Sequence, residues 1–295
     1  MKNIIIAVIL SALLPLSADA ARVRVTAPEK APVGQPFFVE MRTDEDLSAV
    51  ALTWRGKRFD LSPRYNAVRA VLGFPNDAKL VGTSETLTLE FVSEGKTVAV
   101  ERSVKALPFD YPKQELKVAP KMVNPPQSES ERIARERKIV IKALAAQTKG
   151  APAPKKLFRP VKGIPTGYFG GFRVFNGVPR SGHGGLDLRA AVGTKVKAAA
   201  DGTVVLTGNH YFSGVCVYLD HGGGLMTFYC HLSKALVQQG QRVKAGDVIA
   251  LSGATGRVTG PHLHLGVYAG GAWLDALPLL GEAALPVGVD TVEEY

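Results

Sequence analysis

Four of the chain's six histidines stand in three short segments: His183-Gly184-Gly185-Leu186-Asp187, Tyr229-Cys230-His231-Leu232 and Pro261-His262-Leu263-His264. Imidazoles and a carboxylate at such spacings are the groups that hold a hydrolytic metal ion and move protons beside it. If residues 262–267 form a strand, alternate side chains point to opposite faces. His262, His264 and Gly266 then share one face, with Leu263, Leu265 and Val267 in the core behind them. Hydrolytic zinc takes three protein ligands drawn from His and Asp/Glu and leaves a fourth position for water. His183 and Asp187 supply two of these, and either His262 or His264 the third. A lone histidine beside a glycine turn is usually a hydrogen-bonded structural residue. An H-x-x-x-D in a glycine-rich loop together with an H-x-H on an alternating strand is not explained by packing.

The longer context of these residues is specific. Ser181-Gly182-His183-Gly184-Gly185-Leu186-Asp187 and Thr255-Gly256-Arg257-Val258-Thr259-Gly260-Pro261-His262-Leu263-His264 resemble the two signature blocks of the LytM/lysostaphin-type zinc endopeptidases. Asp220-His221-Gly222-Gly223-Gly224-Leu225, followed by Tyr229-Cys230-His231-Leu232, is similar to their middle block. The resemblance spans about residues 158–278, in the family's order. It implies one zinc ion per catalytic domain, held by His183, Asp187 and His264, with His231 and His262 as the catalytic pair. The choice between His262 and His264 as ligand comes from the family and not from the spacing.

The chemistry implied is metal-assisted peptide hydrolysis. Zinc lowers the pKa of bound water and polarises the scissile carbonyl. His262 is placed to take a proton from water and deliver it to the leaving amine. His231 orients the water or hydrogen-bonds the developing oxyanion. Tyr211, in Asn209-His210-Tyr211-Phe212-Ser213-Gly214, resembles an aromatic near the family's cleft and is a candidate oxyanion partner; a tyrosine simply packing at a loop is the competing reading. His221, in a glycine-rich hairpin tip, reads as structural or solvent-facing, and nothing marks His210 as a ligand.

These groups need strands to carry them. From residue 156 onward the sequence reads as glycine-punctuated β-structure, with candidate strands at 194–199, 202–207, 215–220, 225–231, 247–252 and 262–268. The resemblance implies an antiparallel catalytic domain of duplicated hybrid-motif, barrel-sandwich type over 156–295. Segments 196–204 and 243–250 also resemble lipoyl and biotinyl carrier domains, but the modifiable lysine in a Met-Lys setting that a carrier requires is absent. Residues 21–107 show short alternating runs between turn signals, predicting a small antiparallel, sandwich-like accessory domain. Prolines recur through a connector at 108–155. Within it Ser128-Glu129-Ser130-Glu131 reads as a capping box, opening a helix over about 129–147 with apolar spacing at Ile133, Val140 and Leu144 and a solvated basic face.

Lys2, the apolar run 4–16 and Ala18-Asp19-Ala20 read as a signal peptide cleaved after Ala20, so the chain is expected in the periplasm or cell wall. The run is short for a membrane span, and no later stretch is long enough. A formal net charge of +10 favours an acidic partner. An exported protein without a recognition motif excludes nucleic acid and leaves an anionic wall polymer. Cys216 and Cys230 flank the hairpin turn and are expected as buried thiols, with Cys230 facing away from the cleft by strand alternation if His231 faces it. The resulting expectation is a peptidoglycan endopeptidase. A two-domain layout without a wall-targeting repeat favours D,D-cleavage of D-alanyl cross-links over glycine-bridge cutting, with a carboxypeptidase trimming uncrosslinked stems as a further option. The rival class is a non-catalytic activator of a wall amidase, whose degenerate relatives have lost metal ligands that this chain retains. The accessory domain or connector is also a candidate intramolecular inhibitor.

Overall fold

A computed structural model describes residues 23–43, 48–64, 66–93, 95–111, 113–116, 125–145, 152–175, 178–179 and 182–282. The expected signal peptide, the proline-rich 117–124 stretch and Ser181 lie outside the described residues. No described helix is long and apolar enough to cross a membrane.

The N-terminal strands form two sheets around one core. A five-stranded sheet runs in the order Lys30–Pro32, Lys96–Leu107, Ser84–Ser93, Ser48–Trp54, Lys57–Leu61, and a three-stranded sheet pairs Arg24–Thr26, Phe37–Arg42 and Ala67–Leu72. All pairings are antiparallel except Lys30–Pro32 with Lys96–Leu107. Period-two patterning drives this: Phe37, Val39 and Met41 are buried while the residues between them are half-exposed. Trp54 anchors the core, edge-on to Phe37 and Phe74, and its indole N–H donates to the Gly73 carbonyl at 3.1 Å. That bond removes the cost of burying an unpaired donor.

The C-terminal half is built on six strands that position the histidines: β1 (Leu186–Arg189), β2 (Gly202–His210), β3 (Gly214–Asp220), β4 (Leu225–Ala235), β5 (Val248–Ser252) and β6 (His262–Ala269). The main antiparallel sheet runs Pro165–Gly167, β1, β6, β4, β3, β2, Arg242–Val243. β4 is long enough to belong to two layers. Its first part pairs with β3 and β6, and its last part with β5, which also pairs with Lys195–Lys197. Leu186, Leu188, Tyr229, Leu263, Leu265 and Val267 form the core between the layers with Val196, Ile249 and Ala250.

Two local expectations fail for identifiable reasons. The segment after His183 is not all loop: Leu186 and Leu188 alternate inward, so Asp187 sits within β1. The connector also contributes a strand, Lys113–Leu116, which pairs in parallel with Phe172–Phe175.

Helix α1 (Ser130–Leu144) has no side-chain cap. A 3₁₀ turn at Gln127–Glu129 precedes it, with the Glu129 N–H donating to Pro126 O at 3.0 Å, so Ser128 is wound into that turn instead of capping the helix. The helix packs on the sheet through Val140 and Leu144, as expected, and through Ala143, with Leu206, Cys216, Tyr218 and Cys230 opposite; Ile133 is not part of that contact. Further contacts tie the two halves together: Asp275 N–H to Gly34 O at 2.8 Å, Gln35 Nε2 to Asp275 at 3.2 Å, and an Arg69 guanidinium N–H to Ala153 O at 3.0 Å.

Candidate metal and catalytic centre

β6 is regular, so alternation holds along it: Leu263 and Leu265 are buried in the core while His262 and His264 face the opposite side. Residues directly opposite in an antiparallel pair share a face. β1 sets Asp187 against His264, and β4 sets Cys230 against His264. One face of the sheet therefore carries Asp187, His262 and His264, and His183, just before β1, folds over them.

His231 reaches this face by a different route. Val217 is opposite Tyr229 and Val215 is opposite Leu232, so Cys230 and His231 together face the single residue Cys216. This is a β-bulge, which re-aims side chains and bends the strand. His231 adopts φ +60°, a left-handed conformation that costs a non-glycine residue roughly 1–3 kcal/mol. Its N–H donates to Ser213 O at 2.8 Å. The bulge corrects the expectation for Cys230: strand alternation would turn it away from the cleft, but it lies on the same sheet face as His264, packed beneath α1 with Cys216. Both thiols are free and buried. Burial pushes Cys216 up to about 12 and Cys230 well above the ordinary thiol range, so neither acts as a nucleophile.

Backbone carbonyls fix the imidazole tautomers. His183 Nδ1 lies 2.9 Å from Tyr168 O, His231 Nδ1 2.9 Å from Thr255 O, and His262 Nδ1 2.9 Å from Gly260 O. A carbonyl only accepts, so each Nδ1 carries the proton and each Nε2 keeps its lone pair. His264 is oriented the other way, with its Nδ1 2.7 Å from Asp187 Oδ1 and 3.0 Å from His183 Nε2. His183 Nε2 is 3.1 Å from the same Asp187 oxygen, and His262 Nε2 is 3.6 Å from it.

His183, Asp187 and His264 thus offer three ligand atoms within 4.8 Å of one another. Between these side chains alone, one proton on His264 Nδ1 must serve both Asp187 and His183. A divalent cation in its place satisfies all three donors at once, and two imidazoles with a carboxylate are a donor set that suits such an ion. Burial alone would raise the Asp187 carboxyl, but His183 and His264 outweigh it and hold it well below the ordinary range. Burial, then the nearby His264 and His262, push His231 down to about 3, so it is a neutral acceptor at physiological pH. Its ring lies 4.8 Å from that of His262.

Small residues make the approach possible. A Cβ at Gly185 would sit 2.7 Å from His264 Nε2 and 2.5 Å from Leu265 O. A Cβ at Gly266 would collide with the Phe228 ring, which instead packs 5.2 Å from the His264 ring. Thr255 Oγ1 accepts from Val215 N–H at 2.9 Å and donates to Leu232 O at 2.6 Å, steadying the carbonyl that holds His231. The supporting carbonyls of Tyr168, Thr255 and Gly260 carry no residue-type signal, so sequence reasoning missed them.

Tyr211 is not joined to the cluster by any hydrogen bond among the described residues. It is held by α1: its N–H donates to Glu136 at 2.7 Å, and the Arg132 guanidinium lies 5.9 Å from its ring. His221 is buried and not solvent-facing. Its Nδ1 donates to Asp201 O at 2.8 Å, and its Nε2 lies 2.7 Å from Thr227 Oγ1. His210 is buried near Cys216. A groove of about 940 Å³ between the two halves includes Arg42, Arg64, Lys156 and His221 but none of the cluster residues. Arg69 and Arg159, also in its lining, are paired with Glu40 and Glu282, and the chemistry lies elsewhere.

Residues 181–276 match the model of peptidase family M23. "Peptidoglycan DD-endopeptidase ShyA" of Vibrio cholerae is 54% identical over 82 residues, covering 28% of this chain and 19% of that protein. "Peptidoglycan DD-endopeptidase ShyB" of the same organism is 41% identical over 105 residues, 36% of this chain and 24% of that protein. The matched segments thus span about a fifth to a quarter of these relatives' length. The crystal structure of a "putative peptidase M23 from pseudomonas aeruginosa" superposes with a TM-score of 0.59 at 29% identity, over 80% of this chain and 89% of the other.

Proposed function

We propose that this chain, which carries a peptidase family M23 domain over residues 181–276, is a zinc-dependent endopeptidase that hydrolyses peptide cross-links of bacterial peptidoglycan as a D,D-endopeptidase. The observation that carries the reading is the convergence of His183 Nε2, Asp187 Oδ1 and His264 Nδ1 beside two further imidazoles, His231 and His262. His183, Asp187 and His264 are assigned as the zinc ligands. Zinc bound there supplies Lewis acidity and an acidified water.

The chain's own groups supply the remaining steps. His262 Nε2, with its ring oriented by Gly260 O, takes a proton from the attacking water and returns it to the departing amine. His231, neutral and held by Thr255 O, keeps its Nε2 lone pair for a second hydrogen bond to that water. The buried position of Asp187 excludes bulk solvent, and His183 and His264 keep its carboxylate charged against the cost of that burial. Tyr211 is retained as a candidate donor to the oxyanion, on the basis of its turn beside His210 and Phe212. Support for the substrate class comes from the names of the two Vibrio relatives, and support for catalysis over a regulator role from the presence of all five cluster residues. The expected export to the periplasm or wall belongs to the same reading.

Digestion of purified sacculi with wild type and His264→Ala, followed by mass spectrometry of the muropeptides, tests it. Loss of cross-linked dimers with the wild type alone is expected. An identical product pattern from the variant would remove the assignment.

A further inference from the structure

The register that places Asp187 and His264 together continues for two more residues, and Arg189 is directly opposite His262. Leu188 between them is buried in the core with its partner Leu263, so Arg189 and His262 share the face that carries the cluster. Cβ atoms of such opposed residues are about 5 Å apart.

The backbone of Arg189 is fixed while its side chain is not committed. Its N–H donates to Ile164 O at 2.9 Å, and Gly163 packs so closely on its carbonyl that a Cβ there would collide with it. The residue itself is exposed, and among the described residues its guanidinium has no ion pair or hydrogen bond. The acid nearest along the same strand face, Asp187, is engaged by His183 and His264. A guanidinium with unfilled donors, carried on a fixed stretch of backbone beside a candidate proton-transfer group, is suited to receive a carboxylate.

We propose that Arg189 binds a free carboxylate on the substrate residue that supplies the nitrogen of the scissile bond. The side of the bond follows from His262. On the reading above, which this inference rests on and deepens, His262 delivers its proton to the leaving amine, so the residue bearing that amine lies against His262 and Arg189. Arg189 then selects cross-links whose amine-side residue carries a carboxylate next to the scissile nitrogen. An internal bond of a glycine bridge has no such group. Lys162, next in sequence to the Gly163 that packs on Arg189, and Lys195, six residues beyond Arg189, are exposed and add same-sign charge.

The test uses the full chain loaded with zinc and a pair of synthetic cross-linked peptides. The two are identical except that the amine-side residue ends in a free α-carboxylate or in its carboxamide. An exposed charge-assisted pair predicts that the wild type cuts the acid about threefold better than the amide in kcat/KM, with the preference shrinking as salt is raised. Arg189→Gln should lose about threefold on the acid and nothing on the amide, bringing the ratio close to one. Arg189→Lys should restore part of it. Equal losses on both peptides, or a wild-type ratio of one, would overturn the inference while leaving the peptidase reading intact. Failure of the wild type to cut either peptide would overturn both.

Discussion

Gly185 is the residue on which the cluster's closeness depends most, and Gly184 beside it is the control. An alanine methyl at 185 would meet Leu265 O at 2.5 Å and His264 Nε2 at 2.7 Å, whereas at 184 it meets nothing within 4 Å. Carbon at ordinary contact needs about 3.5 Å, so β1 and β6 must part by close to 1 Å or the His264 ring must swing. Overpacking of this kind costs about 1–3 kcal/mol of stability. A displacement of about 1 Å costs on the order of 100-fold in rate, and disturbing a ligand's orientation about 10- to 100-fold in metal affinity. Gly185→Ala should therefore fold, with a lowered melting temperature. It should release zinc to a chromophoric chelator at a correspondingly lower chelator concentration and digest sacculi on the order of 100-fold more slowly. Gly184→Ala should match the wild type in all three measurements. Wild-type zinc affinity and turnover in Gly185→Ala would refute the idea that this contact sets the ligand geometry.

Stability should fall on mild acidification. Burial depresses the folded-state pKa of His221 and His210, so the unfolded chain binds protons first, and the stability present above about pH 6.5 is lost as pH drops below it, at up to about 1.4 kcal/mol per pH unit per proton. His221 has a structural reason for staying neutral. Its Nδ1 donates to Asp201 O and its Nε2 lies 2.7 Å from Thr227 Oγ1, which, like Ala199 N–H, is hydrogen-bonded to the Tyr229 hydroxyl. A second ring proton would have to be accommodated inside this buried network. Urea unfolding at pH 7.5 and 5.5 should show the loss, and His221→Gln should reduce it to the His210 share; an equal loss in that variant would contradict the assignment. If the connector restrains the site through α1, Glu136→Ala should free the Asn209–Tyr211 turn and raise turnover on sacculi. Unchanged turnover would remove the intramolecular inhibitor from the account.

What could be read from the sequence followed regular backbone. The alternation placing His262 and His264 on one face holds because β6 is unbroken, and the apolar spacing of α1 picks out Val140 and Leu144 but not Ala143, whose small side chain carries little hydrophobic signal. The reading of Cys230 fails because the His231 bulge puts two residues against one, and no residue type announces a φ of +60° at histidine. Asp187 looks like loop because only Leu186 and Leu188 alternate around it. Ser128 looks like a cap until Pro126 begins a 3₁₀ turn. Arg189 is visible in the sequence as one basic residue among many, and only the register with His262 distinguishes it.

The division of labour among five side chains is tested most directly by metal content measured beside activity. Zinc per chain, determined by elemental mass spectrometry after dialysis, should be close to one in the wild type and in His231→Ala and His262→Ala. It should fall towards zero in His183→Ala, Asp187→Ala and His264→Ala, while all five variants lose turnover on sacculi. Stoichiometric zinc retained by the three proposed ligand variants, or lost from the His262 variant alone, would contradict the account.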